Sequence, residues 1–252
     1  MSSTVNRVSK HFADKPYSKY VCPTCKKGSL VPDQASFTVN EPPFSKSAHG
    51  HEEWDPHWID YRFTFICVCD RKSCGEIAHV SGSGGVDQRY AEDYDTEYYD
   101  SFRIQSFFPA PEIVRIPDDV PSEVSSLLEK SFALYWVDVS AAANALRASL
   151  EALLDELQVP DTQKNKKGKT VPVSLHRRLE IWSQREKEFA ELCFALKEVG
   201  NLGSHGETVR EKHYFGAMEI FAHVLVQLYE NNAAKMKELA KKIRSEIKGA
   251  KP

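Results

Sequence analysis

The pattern of apolar and polar positions divides the chain near Val120. Before that point, the run Tyr61 to Val68 reads as a β-strand, and Ile77 to Val80 reads as its hairpin partner. After it, apolar residues recur at spacings of three and four, the signature of helices that bury one face. Pro121 suits a first helical turn, and Val124, Leu127, Leu128 and Phe132 form the face of a first helix. A second begins at about Asp138 and buries Val139, Ala142, Ala143, Leu146, Leu150, Leu153, Leu154 and Leu157; Pro160 ends it. Leu175 to Trp182 opens a third helix. Phe189, Leu192, Cys193, Leu196 and Val199 mark the fourth. Gly200 follows the last of these, where a left-handed C-cap favours glycine. Thr208 and Glu211 have the T-x-x-E spacing of a capping box, ahead of a fifth helix that buries Phe215, Met218, Phe221, Ala222, Leu225 and Leu228. Lys235 to Lys251 carries seven Lys or Arg and two Glu, which suits a fraying helix with a solvated face.

Composition sets the class. The 252 residues are 41% hydrophobic and 27% charged, as in ordinary globular proteins. The net charge of -3 gives no global field that attracts nucleic acid, so such binding needs a local patch. The absence of a long apolar run and of a signal-like N-terminus predicts a cytoplasmic protein with no membrane association. In that compartment, six cysteines suggest metal before disulfides.

The cysteines carry the clearest chemistry. Cys22-Pro23-Thr24-Cys25-Lys26-Lys27-Gly28 is a knuckle whose turn aims two sulfurs at one point. The second half is Cys67-Val68-Cys69-Asp70-Arg71-Lys72-Ser73-Cys74-Gly75. Cys22, Cys25, Cys69 and Cys74 are the expected ligands of one Zn2+. Cys67 points the same way along the strand as Cys69 and is the alternative ligand. Four thiolates leave no open position for a substrate. The segment between the knuckles contains His49, His51, His57 and nearby acids, and reads as an exposed loop with aromatic anchors. Ser81-Gly82-Ser83-Gly84-Gly85 reads as a flexible turn, Glu92 to Asp100 as a solvated acidic and aromatic face, and Phe107 to Pro117 as an extended connector. The expected fold class is α+β: a small β zinc-ribbon domain over 1–117, with a long insertion and a proline-rich connector, followed by an all-α bundle over 118–252 that ends in a basic helix.

The segment Ala143-Asn144-Ala145-Leu146-Arg147-Ala148-Ser149-Leu150-Glu151, followed by Gly200-Asn201-Leu202-Gly203-Ser204-His205, resembles DUF4145, a bacterial family of unknown function. Its marks are an L-R-x-x-L-E helix and a G-N-x-x-x-H turn. The resemblance implies a helical bundle related to the HEPN superfamily, a homodimer, and an association with restriction and defence systems, where members meet a protein partner, RNA or DNA. Many HEPN proteins are metal-independent ribonucleases that use an Arg and a His across a dimer interface. Here Lys197 stands where the turn's arginine is usual, with seven residues between it and His205. Lysine carries the charge without the bidentate fork. The expected function is therefore a zinc-binding, non-catalytic adaptor of a bacterial defence system, in which Arg147, Glu151, Asn201 and His205 tie two helices together. The alternative is a dimeric HEPN-type ribonuclease using His205, Asn201, Lys197, Arg147 and Glu151.

Overall fold

Three long strands form the centre of the N-terminal half. The computed structural model describes residues 6, 8–90, 96–204, 208–230, 241, 243 and 244. Its strands are β1 (His11–Ala13), β2 (Tyr20–Val21), β3 (Ser29–Pro32), β4 (Thr38–Asn40), β5 (Asp60–Cys69), β6 (Ile77–Tyr90) and β7 (Thr96–Phe108), with a short helix α1 (Pro43–Ala48) between β4 and β5. They pair antiparallel in the order β1-β7-β6-β5-β3-β2, and β4 also lies against β5.

This corrects the expected architecture. The class is α+β, but the first part is a curled seven-stranded sheet and not a small ribbon. The helical part is not all-α either, because β8 (Thr162–Lys164) and β9 (Thr170–Pro172) form a hairpin within it. The glycines explain the first difference. Ser81 to Gly85 is the interior of β6, not a turn. A Cβ on Gly82 would lie 2.1 Å from the Arg103 carbonyl oxygen and 2.8 Å from the Phe63 ring; one on Gly84 would lie 2.4 Å from the Phe102 ring. These glycines mark close approach of neighbouring groups inside a strand. The end of the acidic stretch, from Thr96, and the start of the supposed connector, Phe107 and Phe108, both belong to β7.

One face of the sheet encloses an aromatic cluster. Alternate residues Phe63, Phe65, Cys67 and Cys69 of β5 are buried, as the two-residue period of a strand requires. The Phe12 ring lies 5.1 Å from Phe102 and 5.3 Å from Phe63, and Phe37 lies 5.4 Å from Phe102. Each fully buried ring contributes about 1.5–3 kcal/mol.

Helices α2 (Ser122–Val137), α3 (Val139–Glu156) and α4 (Leu175–Ser183) follow the expected spans. Asp138 caps α3 by accepting from the backbone N–H of Ser140 and Ala141, and Ser174 caps α4 through the Arg177 N–H. The next two helices depart from expectation. Gly200 does not end a helix, because α5 runs through it from Lys187 to Ser204. It is glycine because α5 crosses α3 there, and a Cβ would sit 2.6 Å from the Arg147 Cβ. Thr208 does not cap α6 (Glu211–Leu225); Arg210 holds the N-cap position without a side-chain hydrogen bond. Most of the basic stretch 235–251 lies outside the described residues. No described helix is long and apolar enough to cross a membrane.

The buried cluster continues from sheet to helices. Trp136 of α2 packs 5.7 Å from Tyr20 and 5.0 Å from Phe107, ring to ring. Beside it the Lys10 side chain is buried, with Nζ 4.2 Å from the Tyr135 ring centroid and 3.5 Å from Glu211 Oε1. Burial lowers the Lys10 pKa from 10.5, and Glu211 opposes that shift.

Candidate metal centre and helical polar cluster

Two turns deliver four sulfurs to one end of the sheet. In the first, Cys22 N–H donates to the Gly28 carbonyl at 3.0 Å and Lys26 N–H to the Cys22 carbonyl at 2.9 Å, with Lys26 in the left-handed region at φ 52°. In the second, Cys69 N–H donates to the Glu76 carbonyl and Cys74 N–H to the Arg71 carbonyl, each at 2.8 Å, and Gly75 takes φ 64°. The turns are locked together, since Ser29 N–H donates to Asp70 Oδ1 at 2.8 Å and Asp70 N–H to the Ser29 carbonyl at 2.9 Å. Gly28 allows the second turn to approach: a Cβ there would lie 2.7 Å from Cys69 Sγ.

The sulfurs of Cys22, Cys25, Cys69 and Cys74 all lie within 4.8 Å of one another. The Cys22–Cys74 and Cys25–Cys69 Sγ separations are both 3.8 Å. Zinc–sulfur bonds of about 2.3 Å in a tetrahedron require sulfurs about 3.8 Å apart, so the donor set fits a tetrahedral thiolate site. The cluster can therefore hold a metal ion. The turn also favours thiolate at Cys25, where the Lys27 and Gly28 amides hold the thiol down to about 6. Burial pushes Cys22 up to about 12, a cost that a bound cation would offset.

Cys67 is not in the cluster. It points the same way as Cys69 but one repeat further into the sheet, between Pro32 and Ala78 on the flanking strands. Burial pushes it to about 12. The three histidines of the intervening segment are partnered separately. His49 bonds Glu41 at 2.8 Å and packs on Trp54, His51 packs on Trp58, and His57 bonds Asp55 at 2.6 Å. Among the described residues the four cysteines are the one group arranged to hold a metal.

The helical residues divide. Arg147 Nε donates to Glu151 Oε1 at 3.1 Å, one helical turn along α3, and its Nη1 donates to Asn201 Oδ1 on α5. Arg147, Glu151 and Asn201 thus form one cluster across the helix crossing. Lys197 is drawn elsewhere: its Nζ lies 3.4 Å from His176 Nδ1 of α4 and 5.8 Å from the Phe194 ring centroid. His205 lies outside the described residues.

Two buried charged groups were not legible as sites in the sequence. Lys10 has been described. Glu112, buried beside the first knuckle, pairs with Lys26 at 3.1 Å, and burial raises its pKa above 4.5. Both lie outside the helices and strands, Lys10 just before β1 and Glu112 after β7, where no periodicity distinguishes a buried charge from a solvated one.

Two family models match the chain. Residues 10–110 match a domain of unknown function, DUF8608, and residues 129–246 match a domain of unknown function, DUF4145. No curated protein and no solved structure matches. The four clustered cysteines fall within the first match, and Arg147, Glu151 and Asn201 within the second. The match is to DUF4145 itself and does not reach the HEPN description. Residues 129–246 thus match the DUF4145 family, as the L-R-x-x-L-E and G-N-x-x-x-H segments led one to expect, and residues 10–110 match DUF8608.

Proposed function

We propose that the chain is a zinc-binding, non-catalytic binding or adaptor protein. The observation that carries this reading is the closed donor set. Cys22, Cys25, Cys69 and Cys74 supply four sulfurs at tetrahedral spacing, which leaves a bound ion no position for a substrate. Zinc would tie the two knuckles and so add folding free energy to this end of the sheet. The Arg147 cluster supports the same reading. The guanidinium is already engaged by Glu151 and Asn201 across the α3–α5 crossing, and Lys197 is engaged by His176. The setting in a defence or restriction system rests on the family resemblance and is checked by whether neighbouring genes encode an endonuclease or a helicase.

Two measurements test the proposal. Cobalt substituted for zinc should give the visible spectrum of a tetrahedral tetrathiolate. Purified chain incubated with RNA and with single-stranded DNA should leave both intact. Cleavage that is lost in His205→Ala, in a variant that melts like wild type, would overturn the non-catalytic reading and establish a ribonuclease.

A further inference from the structure

We propose that the solvent face of the sheet around β5, β6 and β7 binds single-stranded nucleic acid, with the base stacked at Phe108 and phosphates held by Arg62 and Arg103. The inference rests on the binding-module reading and gives it a partner.

The outward residues fall into three cross-strand rows. Ile66, His79 and Phe108 form the first, and Thr64, Ser81 and Ser106 the second. Arg62, Ser83 and Arg103 form the third, which β1 extends with His11 beside Arg103. Rows on one face repeat about every 6.8 Å along the strands, and neighbouring strands lie about 4.8 Å apart. An irregularity after Ser81 leaves Gln105 of β7 unpaired between the second and third rows, and Gln105 is exposed. Bulges of this kind re-aim side chains and recur beside functional sites.

A polar outer face is ordinary for a half-exposed sheet. Three features set this one apart. Phe108, the last residue of β7 and the ladder partner of His79, is 74% exposed although it is a large apolar ring. Next to it is a notch of about 330 Å³, lined by His79, Phe108 and the hydroxyls of Thr64, Ser81 and Ser106. Beyond the notch, two guanidiniums flank a serine. Arg103 is exposed and makes no ion pair among the described residues; the exposed Arg62 donates through Nη1 to the Tyr61 carbonyl at 2.8 Å, and its one ion pair among the described residues is a long 3.8 Å contact to the exposed Asp60. A ring for stacking, hydroxyls and an amide beside it, and two exposed guanidiniums in the row beyond are the elements of a single-strand platform. A peptide strand adding along the outer edge of β7 beyond Ile104, where β1 no longer pairs it, would use that backbone edge and leave the notch and the row of Arg62, Ser83 and Arg103 unused. An acidic peptide would use the arginines but leave the ring and the notch empty.

The test is fluorescence polarisation of the full, zinc-loaded chain with labelled oligo(dT) and oligo(U) of about 15 nucleotides. A duplex of the same length and polyglutamate serve as competitors. The single strands should bind in low salt and outcompete both. Phe108→Ala should weaken binding roughly 5- to 100-fold, while Phe108→Trp retains it. The double variant Arg62→Ala, Arg103→Ala should reduce the slope of log affinity against log salt by about 1.4, the value for two phosphates on a single strand. All these side chains are exposed, so the variants should melt like wild type. No binding at about 50 mM salt, equal binding of duplex or polyglutamate, or affinity unmoved by the variants would each overturn the inference. Such a failure in protein that retains its zinc leaves the metal centre standing. Loss of the metal reading would be seen separately, in the cobalt spectrum.

Discussion

Replacing Gly200 by alanine sets two effects of known size against each other. In a helix interior the change from glycine to alanine gains about 1 kcal/mol. At this position the new Cβ meets Arg147 Cβ at 2.6 Å, Cδ at 2.9 Å and Cγ at 3.1 Å. Carbon atoms prefer about 3.5–4.0 Å, so the nearest contact is about 1 Å too short. The Arg147 Cγ and Cδ can swing aside, at the cost of the contacts to Glu151 and Asn201, a partly exposed cluster worth at most about 1 kcal/mol. Its Cβ cannot move without the α3 backbone. Overpacking of this kind costs about 1–3 kcal/mol. The net expectation is a loss of about 1–2 kcal/mol, or several degrees in Tm at about 2–4 °C per kcal/mol for a chain of this size. Gly216 of α6 is the control, because a Cβ there meets nothing within 4 Å. Gly216→Ala should gain roughly the full 1 kcal/mol. Paired thermal melts followed by circular dichroism read both. A Gly200→Ala protein that melts at or above wild type would refute the claim that close helix approach selects glycine here.

Two other variants probe the buried sulfur and the buried charge. Cys67→Ser should keep the metal while Cys69→Ser loses it, read by elemental analysis; Cys67→Ser should also destabilise by about 1–3 kcal/mol, because it buries a hydroxyl in the sheet's core. Lys10 titrates below 10.5 in the folded chain, so between its folded and unfolded values the unfolded state binds the extra proton, and the cost of burying the charge is relieved as pH rises. The stability of wild type relative to Lys10→Met should therefore improve from pH ~8 toward pH ~10 in urea titrations; a difference that does not change with pH would contradict this.

The sequence carried the clustering of Cys22, Cys25, Cys69 and Cys74 and the α2 and α3 spans, for physical reasons. Cysteine pairs on tight turns identify themselves, because the spacing that aims two sulfurs at one ion is short and local. The α2 and α3 spans are equally local, set by Pro121, Asp138 and an apolar stripe. What failed was long range. Whether Gly82 lies in a turn or a strand depends on Phe63 and on the Arg103 carbonyl, neither near it in the chain. Gly200 has the local signature of a helix stop, and only the crossing with Arg147 shows why glycine is required inside α5. The two arginine positions that share a row, Arg62 and Arg103, are brought together only by the registers of β5 and β7 on β6.

A closed tetrathiolate zinc site, as proposed, would staple the end of the sheet. Elemental analysis of protein purified without added metal, followed by chelation under circular dichroism, tests it most directly. One zinc per chain, held by Cys22, Cys25, Cys69 and Cys74, is expected, with loss of folded signal as the chelator removes it. Metal-free protein, or protein whose melting curve is the same before and after chelation, would contradict it.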